Sequence, residues 1–174
     1  MNQMLTISRD DRVFQYRAVA IALQGGRILL HKTEDDWFWS PPGGRCEMGE
    51  SAEQTVRREM VEEMGAEPRV VRPLWVAENF FTYQGRRCHE LGIYFLVEFP
   101  PETGVPDRGD RFVGSEGATP LLFEWFNIDS LESIIVKPGF LAANLRSVSD
   151  SLRFISHDDG VNVPSPAGDP HIRP

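Results

Sequence analysis

From Gly44 to Ala66 the chain reads Gly-Arg-Cys-Glu-Met-Gly-Glu-Ser-Ala-Glu-Gln-Thr-Val-Arg-Arg-Glu-Met-Val-Glu-Glu-Met-Gly-Ala, led in by Pro41-Pro42-Gly43. No other stretch constrains the fold as much. Ser51 and Gln54 have the spacing of a capping box, in which each side chain satisfies the other's backbone amide. A helix is therefore predicted from about Ala52 to Met64, with Gly65 as its left-handed stop. Ala52, Val56 and Met60 recur every four residues and give that helix a buried stripe. Glu59, Glu62 and Glu63 then stand at i, i+3 and i+4 in its last two turns. Like charges so spaced repel by roughly 0.2–0.5 kcal/mol per pair. The helix dipole also favours cations, not anions, at this end. A solvated acidic face would account for Glu62-Glu63 alone. A divalent cation between the three carboxylates would offset both costs, because hard cations prefer carboxylate oxygen.

The rest of the chain narrows the class. Its 174 residues suit one domain with a sizeable core. A 41% apolar content, with four Trp and eleven Phe, excludes disorder throughout. The net charge of −8 argues against a non-specific nucleic-acid or anionic-membrane binder, which needs a basic footprint. Cys46 and Cys88 make no disulfide framework, and with His31, His89, His157 and His171 they make no zinc signature. The N-terminus lacks the apolar core of a signal peptide, and no run of about 20 apolar residues could span a membrane. A reducing cytoplasm is the expected setting.

In chain order, Val13–Leu23 reads as a buried strand, Gln24-Gly25-Gly26 as a hairpin turn and Arg27–Lys32 as the return strand. Trp37-Phe38-Trp39 precedes the Pro-Pro-Gly-Gly turn, where prolines stiffen the chain and glycines permit close backbone approach. Arg69–Phe81 reads as one or two strands interrupted at Pro73. Thr82–Arg87 is a turn, and Cys88–Phe99 an alternating strand. Pro100–Pro120, rich in Pro and Gly, is expected to be a long surface loop. Leu121–Phe126 is a final strand and Ser130–Ile135 a short helix. Pro138–Ile155 is expected to be a closing helix with Leu141, Leu145, Val148 and Leu152 on one face. The domain is expected to span residues 1–155, with 156–174 a disordered Pro-rich tail. Strands mixed with two main helices suggest an α/β layered domain with a mixed sheet.

Gly44, five residues, Glu50, seven residues, then Arg58-Glu59-Met60-x-Glu62-Glu63-x-Gly65-Ala66 resembles the Nudix box, and every defined position of that pattern is met. The resemblance implies an α/β/α sandwich around a mixed sheet. It also implies hydrolysis of a nucleoside diphosphate linked to another group, with Mg²⁺ or Mn²⁺ as cofactor. By position, Glu59, Glu62 and Glu63 correspond to metal ligands, joined by the Gly44 carbonyl. Glu59 also corresponds to a base or water-orienting group, and Glu50 to a structural acid or further ligand. Arg58 would hold Glu50 or Glu59 by a forked hydrogen bond. In some members the base lies outside the box; Glu90 and Glu116 are the candidates here, each also readable as an ordinary surface acid. Arg86 and Arg87 are candidates for phosphate, or else a solvated turn. Tyr83 stands where members acting on diadenosine polyphosphates often carry a tyrosine. Phe80 and Tyr83 could stack on a base, or pack in the core. Cys46 is expected to be inert.

The implied partner is a small phosphorylated nucleotide-like molecule, with no membrane; nucleic acid is disfavoured and a homodimer is allowed. A different class, a non-catalytic nucleotide sensor of the same fold, is the alternative. The intact box and the lack of sequence left over for a DNA-binding domain weigh against it.

Overall fold

The computed structural model describes residues 3–160. Its strands are β1 (Thr6–Arg9), β2 (Arg12–Gln24), β3 (Arg27–Lys32), β4 (Gly43–Arg45), β5 (Arg69–Tyr83), β6 (Arg86–Glu98), β7 (Arg111–Glu116), β8 (Thr119–Asn127) and β9 (Arg153–Asp158). Two α-helices, α1 (Ala52–Met64) and α2 (Leu141–Leu145), join them. The strands run in the order β7-β8-β3-β2-β6-β5-β9, with β1 and β4 also paired to β2. The β2–β6 and β5–β9 pairs are parallel and the rest antiparallel, so the sheet is mixed.

Strand β2 explains this layout. Its alternation sends Ala18, Ala20 and Ala22 to one side and Val19 and Ile21 to the other, all buried. The alanine side packs with Val56, Met60 and Met64 of α1. The other side packs with Trp75, Tyr94, Leu141 and Leu145. The small alanines let the helix approach closely, with Glu59 against Gly44 of β4 and the Glu63 backbone against Gly114 of β7.

Helix α1 forms as its sequence dictates. The Ser51 hydroxyl accepts from the Gln54 amide at 3.2 Å, and the Gln54 side chain accepts from the Ser51 amide at 2.8 Å. Gly65 ends the helix at φ 67°, in the left-handed region glycine adopts without strain.

Three expectations change. Pro100–Pro120 is not a bare loop: it holds 3-10 turns at Pro101–Thr103 and Val105–Arg108, then β7. Its residues grip α1. Arg108 Nη1 donates to the Met64 carbonyl at 2.7 Å, supplying the C-terminal cation that the helix lacks. A Cβ at Gly114 would lie 2.1 Å from the Glu63 carbonyl oxygen, so the strand touches the helix backbone there.

The closing helix is cut short. Only Leu141–Leu145 is α-helical, and Leu152 is exposed. Serines compete for the backbone beyond it: the Ser149 hydroxyl accepts from the Ser151 amide at 3.2 Å. Arg72 also takes the Ser149 carbonyl at 2.8 Å. Arg153–Asp158 becomes a strand because the edge of β5 offers it a full parallel ladder. The ordered chain therefore runs past residue 155, and residues 161–174 of the expected tail lie outside the described residues.

The third change is an addition: β1 and β4 have no counterpart in the sequence reading, being too short to show a period. Pro73 bends β5 through register shifts without splitting it. Among the described residues no helix is long and apolar enough to cross a membrane.

Candidate active site

Helix α1 lays its polar edge along β4. Arg58 is the hub. Its Nε and Nη2 donate to the two oxygens of Glu50 at 2.9 and 3.0 Å, and Nη1 donates to Glu59 at 2.8 Å and to Glu62 at 3.1 Å. Nη2 also reaches the Arg45 carbonyl at 3.2 Å. Glu50 accepts further from the Thr55 hydroxyl at 2.8 Å. Held first by Arg58, the Glu50 carboxyl lies below the usual carboxylate range.

The three helix glutamates differ in setting. Glu62 is exposed, whereas Glu59 and Glu63 are 7% and 3% exposed. Burial raises the Glu59 carboxyl despite Arg58 beside it. Burial, and then the Glu59 charge, push Glu63 up to about 9. Glu63 Oε2 is buried with no hydrogen-bond partner. A Cβ at Gly44 would stand 2.0 Å from the Glu59 carboxyl, so only glycine lets the β4 backbone meet that group.

A cleft of about 790 Å³ opens over these residues. Its floor is the sheet. The register aligns Gln15 of β2, Glu90 of β6, Asn79 of β5 and His157 of β9 in one row. Glu90 is buried, accepts from Gln15 Nε2 at 2.7 Å and lies 3.6 Å from Arg17 Nε. Arg17 also donates to the Gly43 carbonyl at 2.7 Å, which ties the floor to the glycine turn.

The cleft gathers most of the residues singled out in the sequence. Gly44, Arg58, Glu59, Glu62, Glu63, Tyr83, Arg86, Glu90 and Glu116 all line it. Tyr83 donates to Asp36 at 3.3 Å on the rim. Phe80 and Arg87 do not line it. The pleat turns them to the opposite face, where Phe80 stacks on His89 at 4.4 Å and Arg87 pairs with Asp11 at 2.9 Å. Glu50 stands behind the wall as an anchor for Arg58. Cys46 is fully buried, and burial raises its thiol.

Arg17 and Asn79 escaped the sequence reading. Their signal was present: each is a polar residue within a mostly apolar strand. Alternation could not say that the facing space is open.

Among the described residues no group of three or more His, Cys, Asp or Glu converges as a ready metal cage. Arg58 draws Glu59 and Glu62 to itself. The donor set still fits a hard cation that keeps much of its water: the ligands are all oxygens, and one of them is buried and orphaned. The glycine backbone beside Glu59 carries no side chain to block approach.

A NUDIX domain family profile matches residues 14–148. An RNA pyrophosphohydrolase of Pseudoalteromonas atlantica is 44% identical over 59 residues, 34% of this chain and 34% of that protein. The chain aligns with 25% to 48% of the length of curated relatives. A MutT NUDIX hydrolase structure from Burkholderia pseudomallei has TM-score 0.58 at 23% identity, covering 78% of this chain and 98% of that one. A UDP-X diphosphatase structure has TM-score 0.57 at 18% identity, covering 81% of this chain and 66% of that one. At these identities the structures speak to the fold, a mixed sheet with few helices.

Proposed function

The chain belongs to the NUDIX family, and from that premise we propose that it is a divalent-metal-dependent pyrophosphohydrolase of small nucleotide-like substrates. The observation that carries this reading is the buried Glu59–Glu63 pair against Gly44, braced by the Arg58–Glu50 fork. Nudix hydrolases generally use divalent metal ions. Glu59, Glu62, Glu63 and the Gly44 carbonyl would hold one here, Mg²⁺ or Mn²⁺. When bound, such an ion neutralises pyrophosphate charge and acidifies a coordinated water.

The chain's own residues supply the rest. Arg58 fixes the carboxylates by charge-assisted hydrogen bonds, so little reorganisation accompanies the reaction. Glu90, positioned by Gln15 and Arg17, is the candidate acceptor for the proton of the attacking water, with Glu59 orienting that water. Arg86 faces the cleft as a cation for a phosphate, and Tyr83 offers a ring to the nucleoside. The names of similar proteins, an RNA pyrophosphohydrolase, an 8-oxo-dGTP diphosphatase and a UDP-X diphosphatase, agree with a diphosphate as the common element.

The test is phosphate or nucleotide release from nucleoside triphosphates, dinucleoside polyphosphates, ADP-ribose and nucleotide sugars with Mg²⁺. Glu62→Gln and Glu63→Gln should each lower turnover at least a hundredfold. Unchanged turnover would sink the metal-site assignment. An intact protein that binds nucleotides yet hydrolyses none would favour the sensor.

A further inference from the structure

Six buried side-chain N or O atoms lack a partner among the described residues. Four of them belong to residues that line the cleft: Thr6, His31, Glu63 and Asn79. Glu63 is accounted for by the cation site. Asn79 is not.

Asn79 is 3% exposed, in the middle of a strand, with its Oδ1 orphaned. Its neighbours cannot serve it. Across β6 stands Glu90, engaged by Gln15 and Arg17. Across β9 stands His157, whose ring faces Asp159 at 3.2 Å. An unpaired buried amide costs about 1–3 kcal/mol. Strand propensity would place a β-branched residue here instead. The ring of Tyr94, which lines the cleft, fills the space over the next row. The adjacent row holds Gly92 opposite Ala77, and a Cβ at Gly92 would come within 2.8 Å of the Tyr94 ring. Over the rim, Trp37, Phe38 and Tyr83 form a run of edge-on aromatic contacts, with centroids 5.4 and 6.3 Å apart. A cleft with an aromatic rim and an unpaired amide acceptor in its floor suits a flat heterocycle that carries an N–H on its edge.

We propose that Asn79 is a specificity-determining residue, its Oδ1 accepting a hydrogen bond from the exocyclic amino group of the substrate's nucleobase. The proposal rests on the nucleotide reading of the cleft given above. Sites built to pair a substrate N–H reject analogues that lack it, because the buried acceptor is then left unpaired. Asn79 thus discriminates by the cost of leaving its oxygen empty.

Two matched pairs test this: adenosine against purine riboside triphosphate, and guanosine against inosine triphosphate. For at least one pair the intact protein should show kcat/KM tenfold or more in favour of the amino-bearing member. Asn79→Leu should lower kcat/KM for that member at least tenfold, leave its partner within twofold, and so erase the preference. Asn79→Asp, which keeps an acceptor, should retain it. If Asn79→Leu does not fold, Asn79→Ala carries the same expectation, with folding checked by thermal melting. Absence of any preference in the intact protein, or an equal loss on both members, would overturn the proposal. Should no triphosphate be hydrolysed, the hydrolase reading is decided separately by the dinucleoside polyphosphates, ADP-ribose and nucleotide sugars. Calorimetric binding of the same two pairs then decides on Asn79 by the same ratios.

Discussion

Arg58 and Glu50 form a two-pronged ion pair, Nε to Oε1 at 2.9 Å and Nη2 to Oε2 at 3.0 Å, which ties the middle of α1 to the loop before it. The same guanidinium holds Glu59 and Glu62, so one residue sets the orientation of three acids. Arg58→Lys keeps the charge and loses the fork. It should lower kcat at least tenfold while leaving the fold intact by circular dichroism. Arg58→Ala strands partly buried carboxylates and should destabilise by about 2–4 kcal/mol, read from urea unfolding. A wild-type kcat in Arg58→Lys would show that the fork does not matter to the reaction.

Gly44 meets the Glu59 carboxyl where a Cβ would lie at 2.0 Å. Gly44→Ala must therefore push Glu59 out of place. Activity should fall at least a hundredfold with a loss of no more than about 1–3 kcal/mol in stability, since the displaced atoms belong to a side chain. Parallel turnover and melting measurements separate the two effects.

Gly114 presents a harder contact, because the atom 2.1 Å from its would-be Cβ is the Glu63 backbone oxygen. Gly114→Ala should destabilise by about 1–3 kcal/mol. Arg108→Ala removes the cation from the Met64 carbonyl and should cost about 0.5–1 kcal/mol, less at high salt. A salt-independent loss in Arg108→Ala would speak against the dipole account.

His31 contributes to the pH dependence with a sign opposite to that of Glu63, whose raised carboxyl favours the folded state at low pH and less so as the pH rises toward 9. Burial, with Arg17 nearby, lowers the His31 imidazole from 6.5 to about 4. Unfolded chains take up this proton near pH 6.5, whereas the folded protein stays neutral until about 4. The unfolded state thus binds more protons between those values, so this contribution to stability is full above pH 6.5 and falls as the pH drops toward 4. The loss should be on the order of 2–3 kcal/mol. The urea midpoint of the intact protein relative to that of His31→Gln should fall in sequence at pH 7.5, 6 and 5, and a difference independent of pH would speak against the buried neutral imidazole.

How much was legible in the sequence depended on the range of the forces involved. Helix α1 was readable to the residue because its cap, stripe and stop are local: Ser51, Gln54 and Gly65 act on their own neighbours. The β5–β6 hairpin was readable from alternation. The stretch around Arg111–Glu116 was not, because its strand exists through long-range pairing with β8 and through contact with α1, and its prolines and glycines suggested a loop. Arg153–Asp158 was misread for the opposite reason: Leu141, Leu145 and Val148 keep a helical spacing, while Ser149 and Ser151 divert the backbone. The acidic half of the site lay in one contiguous motif. Its other half, Arg17, Asn79 and Glu90, comes from three strands and meets only through register. Which of Phe80 and Tyr83 faced the cleft was a question of pleat parity, which one strand's sequence leaves open.

Asn79 stands on β5, while the acidic helix packs on β2, β4 and β7. The residue that would read a ligand and the helix carboxylates that would help break it therefore hang from different parts of the scaffold. Exchanging the β5 residues around Asn79 between related chains, with Glu90 kept, should carry preference across while the hydrolytic carboxylates stay in place, which makes this strand the natural unit for redirecting the protein to new molecules.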